Sequence, residues 1–289
     1  MMKKIIIKGV GGLYTVKTGE GNIECRARGV FRNENITPLV GDYVETENGV
    51  ITKILPRKNS LIRPPCANID KMFLVVALNN PLPNLYTLDK MLAITYYHNI
   101  EPILIFNKAD LGDELCVENI YGNLPIKHFT LCATNDNLNV AEKLRDLING
   151  NTVVLSGLSG VGKSTLMNIL DKNLSLQTGC VGEKSLRGKH TTRHVELFDL
   201  AGGRVLDTPG FSNLLFEYFD IKDRSLLAGC FPEFTEYMGN CRFSDCAHIK
   251  EPGCGIINAV KDGIIPKSRH DHYRQMYDEI GPLEEWKDK

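Results

Sequence analysis

The chain has 289 residues, 43% of them hydrophobic and 24% charged, with a formal net charge of −1; that balance describes a folded, water-soluble protein of one to three domains rather than a disordered or fibrous chain. No run approaches the roughly 18 apolar residues of a membrane span, and the opening MMKKIIIKGV returns to Lys and Gly too soon for a secretory signal, so a cytoplasmic location without a membrane partner is expected. Four of the nine cysteines (Cys25, Cys66, Cys132, Cys180) are scattered singly, as reduced thiols are. The charge is uneven. Residues 1–65 hold eleven Lys and Arg against six Asp and Glu, an excess of +5 that leaves −6 for the rest, and a small basic region on a mildly acidic body suits contact with a polyanion.

Residues 1–65 read as short strands broken by Gly and Asn: KKIIIKGV, GLYTVKT, NIECRARGVF and GDYVETENGVITKIL. Several short strands with no helical stretch predict a small β-barrel or sandwich. RPP at 63–65 disfavours continued regular structure and is expected to be a linker. From Lys71 the pattern changes. KMFLVVAL and PILIF are continuous apolar runs of parallel-sheet character, YTLDKMLAITYYHN between them has helical spacing, NVAEKLRDLING is a further helix, and NTVVLSG a further buried strand. This alternation predicts an α/β domain with a mostly parallel sheet. After Phe211 the apolar strands stop, and a final helix is expected over roughly 267–280.

GLSGVGKST, residues 157–165 (Gly157, Leu158, Ser159, Gly160, Val161, Gly162, Lys163, Ser164, Thr165), contains G-x-x-x-x-G-K-[ST] between the strand TVVLS and the helix STLMNILD. Glycines let backbone N–H groups wrap phosphates, Lys163 neutralises the outer phosphate charge, and Ser164 supplies a hydroxyl to Mg²⁺. Downstream, VELFDLAGGRVLDTPG reads as a hairpin around Ala201-Gly202-Gly203. It ends in Asp207, placed to hold the water shell of Mg²⁺, and in Gly210, whose N–H can sense a γ-phosphate. Between these motifs lies SLRGKHTTRH, where a threonine, Thr191 or Thr192, would be the second protein ligand of Mg²⁺.

A phosphate loop leaves the base unknown. FNKAD, residues 106–110, follows directly on the buried strand PILIF, at the carboxyl end of a strand where ligands of open α/β sheets sit. Asp110 can accept from N1–H and the exocyclic amine of guanine, a donor pair that adenine lacks; Asn107 can buttress the loops and the stem of Lys108 can cover the ring. Cys132-Ala133 stand one strand later, where a second base loop usually reads Ser-Ala. The order is therefore base loop, second base loop, phosphate loop, switch I, switch II, a circular permutation made possible by closely spaced domain termini.

Cys241, Cys246, His248 and Cys254 in CRFSDCAHIKEPGC offer three thiolates and one imidazole, a closed tetrahedral set for one structural Zn²⁺ in a region with few apolar residues. Cys230, in LLAGCFPEF, reads as core.

Taken together, GLYTV, ARG, VGDYVE, RPPCANID, NKAD, GLSGVGKST, HTTR, DTPG and CRFSDCAHIKEPGC, in that order, resemble the small-ribosomal-subunit-dependent GTPase A family, the circularly permuted GTPases of bacterial 30S maturation. The resemblance covers essentially the whole chain. It implies an N-terminal OB-fold over 1–65, a circularly permuted P-loop GTPase domain over 66–222 and a C-terminal zinc-binding domain with a terminal helix over 223–289. It also implies GTP hydrolysis to GDP and phosphate, slow alone and accelerated by the 30S subunit, with the outer domains holding 16S rRNA and release on hydrolysis, by a protein expected to act as a monomer. The Thr-Arg pair of related switch loops favours Thr192. Phe211 follows Gly210 where many GTPases carry a water-orienting Gln. The family resemblance assigns that task to His190, with a monovalent cation or an rRNA group as alternatives. Catalysis is thus expected of His190, Lys163 and Thr192. Arg26, Arg28, Arg32, Arg57, Lys58 and Arg63 are candidates for phosphate contacts. The alternative drawn from Phe211 is a GTP-dependent RNA-binding adaptor without turnover.

Overall fold

The computed structural model of the chain describes residues 4–33, 36–132, 137–170, 195–207 and 214–281. The basic N-terminal region folds as β1 (Lys4–Val10), β2 (Leu13–Thr18), β3 (Gly21–Ala27), the short helix α1 (Val30–Asn33), β4 (Tyr43–Glu47) and β5 (Val50–Ile54). Their order is β1-β2-β3-β5-β4, and β4 returns to pair with β1, closing a five-stranded barrel. Closure follows from the strand pattern: Ile6, Val16, Cys25, Val44 and Ile51 point inward and are buried, which places polar neighbours outside. Strand character was expected to run on to Phe31; instead the chain turns after Ala27 into α1, which sinks the Phe31 ring into the barrel core.

Asp42 is fully buried at the foot of the barrel, where Arg57 grips both carboxylate oxygens at 2.8 Å and the Leu39 N–H donates to one of them at 2.7 Å. The expected linker RPP forms the turn of a small hairpin, β6 (Ser60–Leu61) on β7 (Cys66–Ala67). Cys66 and Ala67 are completely buried, so apolar packing on both flanks overrides the extended bias of the prolines.

β8 (Lys71–Ala77), α2 (Leu85–Tyr97), β9 (Glu101–Asn107), α3 (Val117–Tyr121), β10 (His128–Thr130), α4 (Asn137–Ile148), β11 (Thr152–Ser156), α5 (Lys163–Leu170), β12 (Glu196–Leu200) and β13 (Gly203–Asp207) follow. They form a sheet in the order β10-β9-β8-β11-β13-β12, parallel except for β12. Both faces of β8, β9 and β11 are covered, which is why these strands read as unbroken apolar runs. β12 also pairs with β1 of the barrel at Lys8 and Glu196. Barrel and α/β sheet are therefore one continuous sheet of eleven strands.

Beyond residue 214 come 3-10 turns, α6 (Thr235–Met238), α7 (Gly255–Lys261) and α8 (Lys267–Ile280). Cys230 is buried, as read from its apolar surroundings. The core on the α2 face of the sheet runs without a break into the barrel and the C-terminal region, whereas α4 and α5 enclose a separate core on the opposite face. Among the described residues no helix is long and apolar enough to cross a membrane.

Candidate functional site

The loop from Gly157 to Gly162 joins β11 to α5 through backbone that only glycine enters readily. Gly157, Gly160 and Gly162 have φ of 144°, 80° and 103°, a region closed to most side chains. A Cβ at Gly157 would lie 2.3 Å from the Val75 carbonyl oxygen, and one at Gly162 only 2.2 Å from Nδ2 of Asn107. The loop is thus wrapped tightly and opens onto the N-terminus of α5, where the N–H groups of the first turn and the helix dipole favour an anion. Lys163 begins α5 and folds back, its Nζ donating to the carbonyls of Gly157 at 2.8 Å and Leu158 at 2.7 Å. Ser164 and Thr165 occupy the next two helical positions; Val161 is buried and Ser159 exposed at the rim.

The base-side loop meets this loop directly. Asn107 ends β9, is 2% exposed, and its Nδ2 donates to the Val161 carbonyl at 2.8 Å. Lys108 adopts a left-handed conformation with φ of 60° and its ammonium rests on the Asn80 carbonyl. That kink turns the chain away from the sheet and presents Asp110 on an exposed 3-10 turn. The strand register brings the second base loop alongside: Leu131 N–H donates to Phe106 O at 2.8 Å, and the Cys132 thiol donates to Asp110 Oδ1 at 2.9 Å. Sequence-separated loops thus converge on one edge of the sheet, with the phosphate-type loop at one end and an exposed carboxylate at the other.

Asp207 is the last residue of β13, two strands' width from β8, in register with Glu196. Ala133, His190, Thr191, Thr192 and Gly210, with Phe211, lie outside the described residues.

At the C-terminal end, Cys241, Cys246, His248 and Cys254 bring one ligand atom each to within 4.8 Å of one another. Cys241 Sγ and Cys254 Sγ are 3.8 Å apart, and His248 Nδ1 lies 3.5 and 3.4 Å from them. A tetrahedral ion with thiolates at about 2.3 Å and an imidazole at about 2.0 Å sets such edges near 3.5–3.8 Å. The donor set therefore fits one zinc-sized ion. Burial lowers the His248 pKa, keeping a neutral imidazole for ligation, while burial and the neighbouring thiols push Cys246 up to about 12, so that its thiolate needs a cation beside it.

Residues without a motif hold this loop. Glu251 accepts N–H bonds from Ala247, Ile249 and Lys250 at 2.9–3.1 Å; His270 Nε2 meets the His248 carbonyl at 2.7 Å, and the Tyr273 hydroxyl donates to Ala247 O at 2.8 Å. None of Glu251, His270 and Tyr273 is singled out in the sequence.

A parallel sheet that presents its base loop before its phosphate loop in chain order, continuous with a five-stranded barrel and followed by a Cys₃His cluster, defines a circularly permuted GTPase. Comparison with known proteins gives the same class. Residues 54–217 match the family model described as RsgA GTPase, and residues 4–51 match the RsgA N-terminal domain. Relatives named small ribosomal subunit biogenesis GTPase RsgA include those of Clostridium beijerinckii, 44% identical over 98% of each chain, and Bacillus cereus, 41% identical over 95% of this chain and 96% of the relative. Among solved structures, YloQ, a circularly permuted GTPase, superimposes with a TM-score of 0.77 at 34% identity, covering 97% of this chain and 95% of YloQ. YjeQ from Thermotoga maritima does so with the same TM-score and identity over 96% and 98%. The chain belongs to the RsgA family of circularly permuted GTPases.

Proposed function

We propose that the chain is a 30S-stimulated GTP hydrolase that acts as a monomer in late maturation of the small ribosomal subunit, binding 16S rRNA through its barrel and C-terminal region and leaving when GTP is hydrolysed. The observation that carries the nucleotide half of this reading is the Asn107–Val161 bond, which fixes the base loop and phosphate loop at one spacing. The ribosomal half rests on the names of the relatives and on the basic barrel.

In this reading Asp110 accepts from N1–H and the exocyclic amine of guanine, with Cys132 and Ala133 as the second base loop and the Lys108 stem over the ring. Backbone N–H groups from Gly157 to Thr165 wrap the phosphates and Lys163 exchanges its carbonyl partners for phosphate oxygen. Ser164, Thr192 and Asp207 would hold Mg²⁺, which would neutralise charge building on the phosphates. Gly210 senses the γ-phosphate. Because Phe211 cannot orient water, that task falls to His190, a monovalent cation or a group of the rRNA. Cys241, Cys246, His248 and Cys254 hold a structural Zn²⁺, which supplies folding energy to a region of short turns.

The boundaries 1–65, 66–222 and 223–289 serve as RNA-binding, GTPase and zinc-binding units. Within the first, Arg57 is engaged with Asp42 and Lys58 with Asp70 at 2.8 Å, while Arg26, Arg28 and Arg63 are exposed for phosphate contact. Steady-state GTP hydrolysis with and without purified 30S subunits tests the reading: stimulation is expected, and an unchanged rate would overturn it.

A further inference from the structure

Arg269 of α8 is completely buried, the largest side chain among the described residues to be so, and its guanidinium bridges two regions. NH1 donates to Asp89 Oδ1 of α2 at 2.6 Å, while Nε donates to Glu233 Oε1 at 2.7 Å. Asp89 is itself wholly buried, accepts from the Tyr121 hydroxyl at 2.5 Å, and meets His272 Nδ1 through its other oxygen at 2.6 Å. One residue along α2, Lys90 pairs with Glu279 near the end of α8. A buried ionic cluster of this kind contributes little net stability compared with apolar packing, but it allows few alternative arrangements of the groups it joins. Here it sets one register of α8 on α2.

α2 also faces the nucleotide side at one place and touches the segment beyond it at another. Its first turns, through Thr87, Leu88 and Met91, form one wall of a small cavity of about 30 Å³ whose other wall is Gly157, Leu158 and Val161 of the phosphate-type loop. The Lys90 ammonium sits 4.3 Å from the centre of the Phe216 ring, His98 Nε2 meets the Phe219 carbonyl at 2.9 Å, and the Tyr97 hydroxyl donates to Asp220 O at 3.3 Å. Those contacts grip the segment that follows DTPG in the chain. An α-helix of thirteen residues is about 20 Å long and stiff. A shift of the 214–221 segment, which α2 contacts directly, would therefore reach Asp89 along the helix, and packed, ion-paired interfaces respond by changing between discrete arrangements rather than deforming smoothly.

We propose that α2 is the mechanical link between the nucleotide site and the C-terminal region, with Asp89–Arg269 as its joint, so that the nucleotide present sets how firmly α8 is docked. The inference rests on reading residues 157–165 as the GTP site and adds a regulatory connection to it. Linkage then requires the reciprocal effect: docking of α8 changes the ratio of GTP to GDP affinity by the same factor by which the nucleotide changes docking.

The experiment uses the full chain. Amide hydrogen exchange of residues 267–280 is measured without nucleotide, with GDP and with a non-hydrolysable GTP analogue, alongside the affinities for both nucleotides. The wild-type chain is expected to show α8 exchange that differs between the two nucleotides by roughly 5-fold or more, the usual lower range of such couplings. Asp89→Asn is expected to erase the difference and to move the analogue-to-GDP affinity ratio by a matching factor. Glu279→Gln, which loosens the less buried Lys90 arm, should give a smaller change of the same sign if Asp89→Asn proves too disruptive to fold. Equal α8 exchange with GDP and analogue in the wild-type chain would overturn the proposal, as would a response that survives in Asp89→Asn. Guanine over adenine preference is scored in the same titrations. A chain that selects guanine while α8 stays silent loses this link alone, whereas a chain without guanine preference loses the reading of the site beneath it.

Discussion

Asn107 and Val161 are 54 residues apart in the chain, yet the side-chain amide of one donates to the carbonyl of the other at 2.8 Å at the carboxyl end of the sheet. The bond spans two strand ends, and Asn107 also fills the space that a side chain at Gly162 would need. It therefore determines both the distance between the loops and the residue allowed at the glycine.

Removing this contact should separate stability from nucleotide binding. Asn107→Ala leaves a buried carbonyl without its partner and is expected to cost about 1–3 kcal/mol in denaturant unfolding. Guanine nucleotide affinity should fall more than 10-fold, because the two loops lose their fixed spacing. Gly162→Ala, which sets a Cβ 2.2 Å from the Asn107 amide at a φ of 103°, should abolish GDP binding in calorimetry. Retained binding in Gly162→Ala would show that the loop is looser than described.

Base choice should follow the charge of one side chain. An asparagine at 110 presents an amide donor where the carboxylate accepted, which suits the extra carbonyl of xanthine. Asp110→Asn is thus expected to weaken GDP by roughly 10²-fold, less than the roughly 10⁴-fold losses at fully buried hydrogen-bonding sites because Asp110 is exposed, while xanthosine diphosphate binds better than to wild type. Competition titrations with both nucleotides measure this. Unchanged discrimination would remove Asp110 from base recognition.

The metal cluster should behave as a folding element. Chelation of zinc, or Cys254→Ser, is expected to lower the thermal midpoint and to raise proteolytic sensitivity after residue 223, while the α/β sheet keeps its exchange protection. A metal analysis near one zinc per chain accompanies the prediction. No bound zinc together with an undisturbed midpoint in Cys254→Ser would contradict it.

Acid sensitivity should carry a contribution from His98. Burial lowers its pKa, outweighing the opposing effects of its bond to the Phe219 carbonyl and of Asp220. A histidine in the unfolded chain takes up its proton near pH 6.5. Below that value, down to the depressed folded pKa, the unfolded state binds more protons. Stability is therefore fully present above about pH 6.5 and declines as the pH falls through the window below it. His98→Gln, which places an amide N–H where Nε2 stood, should flatten that decline in unfolding free energy between pH 7.5 and 5.5. An identical decline in the variant would assign the acid effect elsewhere.

How much of this was readable beforehand differs by element. KMFLVVAL, PILIF and TVVLS were legible because strands covered on both faces leave an unbroken apolar signature, and the terminal helix stands where 267–280 was expected. The phosphate loop was legible because its glycines are dictated by backbone geometry. α1 was not, since four residues hold no period, and the hairpin at 60–67 was hidden because its prolines argue for extended chain while burial, a tertiary property, decides. The joining of the barrel to the α/β sheet through Lys8 and Glu196, 188 residues apart, has no local trace. Cys241, Cys246, His248 and Cys254 announced themselves by spacing, whereas Arg269 and Asp89, 180 residues apart, carry no local signal of the packing that buries both.

The measurement closest to the central claim is GTP turnover by the full chain with and without purified 30S subunits, with Asp110→Asn in parallel. The account predicts slow turnover alone, strong acceleration by 30S subunits, and loss of that acceleration with GTP in Asp110→Asn. A rate indifferent to 30S subunits would contradict it.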